Sequence, residues 1–102
     1  MTPKTICIAK DYSRSPAGRY ESDGPFSGER FRTAFLVPAI QDKRNLVIEL
    51  DGTRGYGSSF LEEAFGGLVR LGYQKSLIVS ILSFVSTDES LISEIYDYIN
   101  QA

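Results

Sequence analysis

The sequence predicts a single α/β domain over residues 1–102, with a mixed, mostly parallel sheet of about four strands and three helices. Three observations lead there. Short runs rich in β-branched residues ("KTICIA", "NLVIEL", "SLIVSILSFV") alternate with segments whose apolar residues recur at helical spacing. Strands joined through helices of this length require crossovers, which bring parallel strands together. A chain of 102 residues is also long enough for one hydrophobic core and too short for two.

The elements follow in order. Residues 4–9 read as the first strand, and residues 10–28 as loop on their Gly, Pro, Ser and Asp content, with a short strand or hairpin arm at Arg19–Glu21. Ser27 is the expected N-cap of a helix carrying Phe31, Phe35 and Ala39 on its apolar stripe, with Leu36 and Ile40 alongside. Pro38 should break its regularity near Ala34, because proline has no donor for that carbonyl. Asn45–Asp51 reads as a buried strand. In the next helix Leu61, Ala64, Phe65 and Leu68 hold the inner face, Ser59 with Glu62 forms a capping box, and Gly72 is the stop. Ser76–Val85 is the most apolar run and reads as a strand throughout. A second capping box, Ser86 with Glu89, opens a last helix with Ile92, Ile95, Tyr96 and Ile99 inward.

Composition removes whole classes of function. There is no histidine, so a Ser-His-Asp or Cys-His triad cannot be built, and with one cysteine a zinc site has too few ligands. Metal and cofactor are expected to be absent, and catalysis with them. Asp51, Glu62 and Glu63 are carboxylates near one loop, but a solvated helix face is the default for such residues. Cys7 cannot form an internal disulfide and reads as a buried thiol, in keeping with a cytoplasmic protein. No apolar run approaches the ~20 residues that span a bilayer, and no secretion-signal pattern is present.

Charge is uneven. Residues 1–45 carry eight Lys/Arg against five Asp/Glu, and the rest three against eight, which leaves Arg14, Arg19, Arg30 and Arg32 as a local basic patch. A net charge of −2 makes nucleic acid an unexpected partner.

The chemistry gathers at "LDGTRGYGSSFLEEAFGGLVRLG". Gly52 to Ser59 has the placement of a phosphate-binding loop, after a strand and before a helix, but Ser58 stands where the lysine would be. The dinucleotide fingerprint fails at Phe60. Three readings stay open for the Ser58-Ser59 pair: a helix cap, an anion cradle at the helix N-terminus, or a phosphorylation switch. The loop Arg54, Gly55, Tyr56, Gly57, Ser58 and Ser59 is the candidate partner- or anion-binding site. Gly66 and Gly67 each cost about 1 kcal/mol against alanine inside a helix, so something must approach the helix closely there.

These residues resemble a known family. "LVIEL", a turn, then "SSFLEEAFGGLVR" is similar to the STAS domain of anti-anti-sigma factors, whose loop carries Asp-Ser-Ser-Gly. There the first serine is phosphorylated by a partner ATPase of the histidine-kinase type. On that alignment Gly57 takes the aspartate position, Ser58 the phospho-acceptor, Ser59 the second serine and Phe60 the glycine. A nearer resemblance is to the STAS-like domains of unknown function of bacteria and their mobile elements, through "SGERFR" and through Asp51 to Arg70. It runs from Gly18 to Ile99. It implies a regulatory domain that binds a protein partner, a kinase-like ATPase being one such partner, and it leaves a homodimer open. The alternative from the residues alone is a sensor of a small anion or nucleotide.

Overall fold

The computed structural model describes residues 4–102, so the first three residues of the expected domain lie outside it. Three strands form one sheet: β1 (Lys4–Cys7), β2 (Leu46–Glu49) and β3 (Leu82–Val85), in the order β1-β2-β3 and parallel throughout. Register places Ile6, Ile48 and Phe84 side by side, with Leu46 beside Leu82 one step away. The α/β class with parallel crossovers is as expected. The hairpin arm at Arg19–Glu21 is not formed. Glu21–Asp23 makes a 3₁₀ turn instead, closed by the Asp23 carboxylate, which accepts from the backbone N–H of Arg19 and of Tyr20.

With strands in sequential order, right-handedness delivers both crossovers, with their helices, to the same face of the sheet. Burial agrees: Ile6, Leu46, Ile48 and Leu82 are buried under helices, whereas Thr5, Glu49, Ser83 and Val85 on the opposite face are exposed. Cys7 lies on that open face and is half-buried rather than buried.

Helix α1 covers residues 28–41. Ser27 caps it as expected, its hydroxyl accepting from the Arg30 N–H at 3.2 Å. Around Ala34 the helix widens to a π turn, Arg32–Leu36, in which the Val37 N–H reaches back five residues to Arg32. The wider turn makes room for the Pro38 ring, which would otherwise press on the Ala34 carbonyl. Helix α2 covers residues 58–70, with its own π turn at Glu62–Gly66. Its inner face is Phe60, Leu61, Ala64, Phe65 and Leu68, all fully buried. Gly72 ends it at φ +105, its N–H bonded to the Val69 carbonyl.

Two expectations fail after that. Ser76–Val85 is not one strand. Lys75–Ile81 is helix α3 and only Leu82–Val85 is strand. Ile78 and Ile81, three apart, are the residues buried in α3, and it packs on the end of α1, so tertiary contact overrides the β propensity of "SLIVSI". Helix α4 (Glu89–Gln101) is capped by Asp88, whose carboxylate accepts from the N–H groups of Ser90 and Leu91, and not by Ser86. Ser86 turns to Asp51 instead, donating to its carboxylate at 2.9 Å.

The tightest helix contact is at Gly28. A Cβ there would collide with the Phe60 carbonyl oxygen and lie 3.1 Å from the Ala64 nitrogen, both backbone atoms. Gly28→Ala should therefore lower stability by about 1–3 kcal/mol, since neither atom can swing aside. A urea midpoint unchanged from the wild type would contradict the close α1–α2 packing.

Candidate functional site

The loop between β2 and α2 is shaped by Gly52 and Gly55, both at positive φ. Tyr56 folds inward: its hydroxyl donates to the Leu50 carbonyl at 2.6 Å and its ring lies 6.0 Å from Phe60. Burial pushes the Tyr56 phenol up to about 12. The loop's far side is tied down by the Arg54 N–H, which donates to the Arg14 carbonyl at 2.8 Å. Gly57, in extended backbone, is the N-cap of α2 and supplies no side-chain bond. Ser58 and Ser59 are the first two helical residues, and both are exposed. The expected Ser59–Glu62 capping box is not formed, because the helix starts two residues earlier and Glu62 is engaged elsewhere.

Glu62 and Glu63 hold three arginines. Arg32 of α1 donates to the Glu63 carboxylate at 2.6 Å and to the Glu63 backbone carbonyl at 2.7 Å, with both side chains 9% exposed. Arg70 grips Glu62 through two nitrogens, at 2.6 and 3.0 Å. Arg19, from the loop before α1, reaches Glu62 at 2.5 Å and Glu63 at 3.1 Å. Burial raises the Glu63 pKa, but hydrogen bonds from Arg32 and Arg19 and the charges of Arg32 and Arg70 outweigh it, so the carboxyl stays below its ordinary value. Glu62 is lowered chiefly by its bond from Arg70. The two helix glycines belong to this cluster. A Cβ on Gly67 would run into the Arg32 guanidinium; one on Gly66 would meet the Glu62 carboxylate at 2.6 Å and the Tyr98 carbonyl of α4 at 3.3 Å.

A cleft of about 350 Å³ opens on the other side of the loop, at the C-terminal end of the sheet, between Gly52–Tyr56 and the head of α4. Three of its lining residues, Asp51, Asp88 and Glu94, are carboxylates and none is basic. The hydrogen bond from the Ser90 hydroxyl, with further ones from backbone N–H groups, lowers the Asp88 pKa. Asp51 is held by Ser86 and by the Thr87 N–H.

The family described as STAS-like domain of unknown function matches residues 27–91, which take in α1, β2, the loop, α2, β3 and the head of α4. The chain belongs to this family. No curated protein and no solved structure matches it.

In this STAS-like domain residues 54–57 form the turn, with Tyr56 folded inward, and Ser58 and Ser59 lie in the first turn of α2. The basic patch does not gather as one group. Arg32 is buried against Glu63, Arg19 bridges both glutamates, and Arg30 donates to the Pro25 carbonyl while lying over the Phe26 ring. Arg14 meets the loop through its backbone. Glu62 and Glu63 are thus not a solvated face but the centre of an ion-pair cluster. The signal for this was present in Gly66-Gly67, whose missing side chains make the space that Arg32 and α4 occupy.

Removing the charge of Glu63 leaves Arg32 buried without its counter-ion. Glu63→Gln should cost about 3 kcal/mol, and Glu62→Gln, on the more exposed side, under 1 kcal/mol. Equal urea midpoints for the two variants would refute the ranking. Both carboxyls sit below the ordinary 4.5 in the folded state, so the stability they confer is complete above that value and is lost as the pH falls below it. Chemical denaturation at pH 6 and pH 3.5 should show that loss in the wild type and much less of it in Glu63→Gln.

Proposed function

We propose that this STAS-like domain is a non-enzymatic regulatory module of the cytoplasm that binds a protein partner through residues 52–59 and the head of α2. Phosphorylation at Ser58 is the control. The observation that carries this reading is the state of the two serines: exposed, at the start of α2, and relieved of the capping role by Gly57. A phosphoryl group there adds roughly two negative charges without dismantling a helix cap, so it changes a docking surface and leaves the fold intact. The cleft that the same loop lines through Gly52–Tyr56 already carries Asp51, Asp88 and Glu94. A partner suited to that field is basic or hydrogen-bond-donating, and added charge or bulk at Ser58 alters its encounter. A kinase-like ATPase is the partner class that the family resemblance suggests. The acidic cleft gives no support to the alternative of a small-anion or nucleotide sensor, whose ligand would meet three carboxylates.

The test is capture of partners from native lysate with the wild type, Ser58→Ala and Ser58→Glu, followed by titration of the identified protein in purified form. Wild type and Ser58→Ala should bind alike, and Ser58→Glu at least about tenfold more weakly, a difference of 1.4 kcal/mol. Equal affinity of all three would remove the switch, and loss of binding in Ser58→Ala would make the hydroxyl itself the contact.

A further inference from the structure

The end of the sheet opposite the acidic cleft carries a second hollow. It holds about 150 Å³ and is lined by β1, the start of β2, the C-terminal half of α1 and the loop between α1 and β2. Ile6 and Leu46 of the sheet and Phe35 and Ala39 of α1 make it apolar. Lys4 and Arg44 line it too, with one carboxylate, Asp42. Both cations are exposed, and among the described residues neither has a salt bridge. Size decides what kind of guest can enter. A nucleotide or cofactor needs roughly 300 Å³ or more, whereas a space near 150 Å³ takes a single benzene-sized group. The hollow therefore fits one side chain of leucine or phenylalanine size, and its surplus positive charge favours a carboxylate beside that side chain.

The backbone beside the hollow is open as well. Among the described residues β1 is an edge strand, paired with β2 alone. The Lys4 N–H donates to the Asn45 carbonyl, so in a parallel ladder Lys4 and Ile6 turn their backbone groups toward β2, and Thr5 and Cys7 turn theirs outward. The Cys7 N–H is already taken by the Asp11 carboxylate at 2.7 Å. Thr5 is exposed, and among the described residues its outward N–H and C=O have no partner. Side chains alternate along a strand, so Lys4 and Ile6 lie on the helix side, where both line the hollow, and Thr5 on the other.

We infer that the β1 edge and this hollow form a docking site, separate from the loop at residues 52–59, for an extended acidic segment of a partner protein. The segment joins the sheet as a strand, taking one donor and one acceptor from Thr5. The residue opposite Thr5 faces the open side of the sheet, so its two neighbours face the helix side. The neighbour beside Ile6 sets an apolar side chain in the hollow, and the neighbour beside Lys4 brings a carboxylate to Lys4 and Arg44. Anchor and carboxylate are thus two positions apart in the partner's sequence. The site stops at Cys7, where Asp11 occupies the edge. A second copy of this chain is the wrong guest, because β1 offers Lys4 and Ile6 as its helix-side pair and no carboxylate.

The probe is a blocked peptide, Ser-Thr-Glu-Thr-Leu-Thr-Glu-Thr-Ser, which presents the same pattern in either strand direction. Titrated into the ¹⁵N-labelled full chain, it should shift the amides of Thr5, Ile6 and Ala39 saturably. Replacing its leucine with serine should abolish those shifts, and replacing both glutamates with lysine should weaken binding about fivefold. Lys4→Glu should reverse that charge preference. In the chain, Ala34→Leu fills the hollow from an exposed helix position, and Thr5→Pro removes the free donor without costing a bond to β2, so each should abolish binding. No saturable shift by about 10 mM peptide would overturn the assignment. So would equal binding of the serine peptide, shifts centred on residues 51–56, or a Thr5 shift that follows protein concentration without peptide, which marks self-pairing. If Thr5→Pro fails to fold, the peptide series against the unaltered chain decides alone.

Discussion

The ion pair between Glu63 and Arg32 is the constraint to which the rest of the helical layer conforms. A charged pair this deeply buried is worth little as net stability against an apolar pair of the same volume, but it is costly to break. It therefore fixes an arrangement rather than deepening it. The Arg32 guanidinium must lie between α1 and α2, so position 67 can hold no side chain. The same guanidinium binds the Glu63 main-chain carbonyl within the π turn of α2, where the Gly67 N–H reaches back to Glu62 as well as Glu63. Its Nε is buried without a hydrogen-bond partner, a local penalty the packing tolerates. Two π turns, one in each helix, face one another around this contact.

How far the sequence discloses all this depends on whether the signal is local. The inner face of α2 follows from spacing alone, and so do the Ser27 cap and the stop at Gly72. The disturbance near Ala34 follows from Pro38. Helix α3 does not follow, because "SLIVSI" has strand chemistry and becomes helical only by setting Ile78 and Ile81 against α1. The caps were misassigned for a related reason: Ser59 and Ser86 have the right spacing to a glutamate, but Gly57 and Asp88 start the helices where packing requires it. At the candidate site, the exposed serine pair could be read from order along the chain. Arg70 lies on the same helix as Glu62 and Glu63, but the gathering of Arg19 and Arg32 on them joins residues 31 to 44 positions apart, and only the two glycines hinted at it.

This division bears on function. The STAS-like family match spans the loop between β2 and α2 together with both helices that flank it in the fold. Around that loop stand the glycine ahead of Ser58, an acidic cleft and the arginine-rich cluster on α2.

The one-sided parallel sheet has a further consequence, for how the molecule assembles. Among the described residues it contains no hairpin. Every register pair joins residues about forty positions apart, Lys4 with Leu46 and Leu46 with Leu82. Each strand pairing therefore closes a loop of nearly forty residues, an entropic cost that the sheet bonds must offset. The helix contacts share that cost, for Gly28 meets Phe60 and Arg32 meets Glu63 across more than thirty residues, so few of the tertiary contacts that define the fold are local.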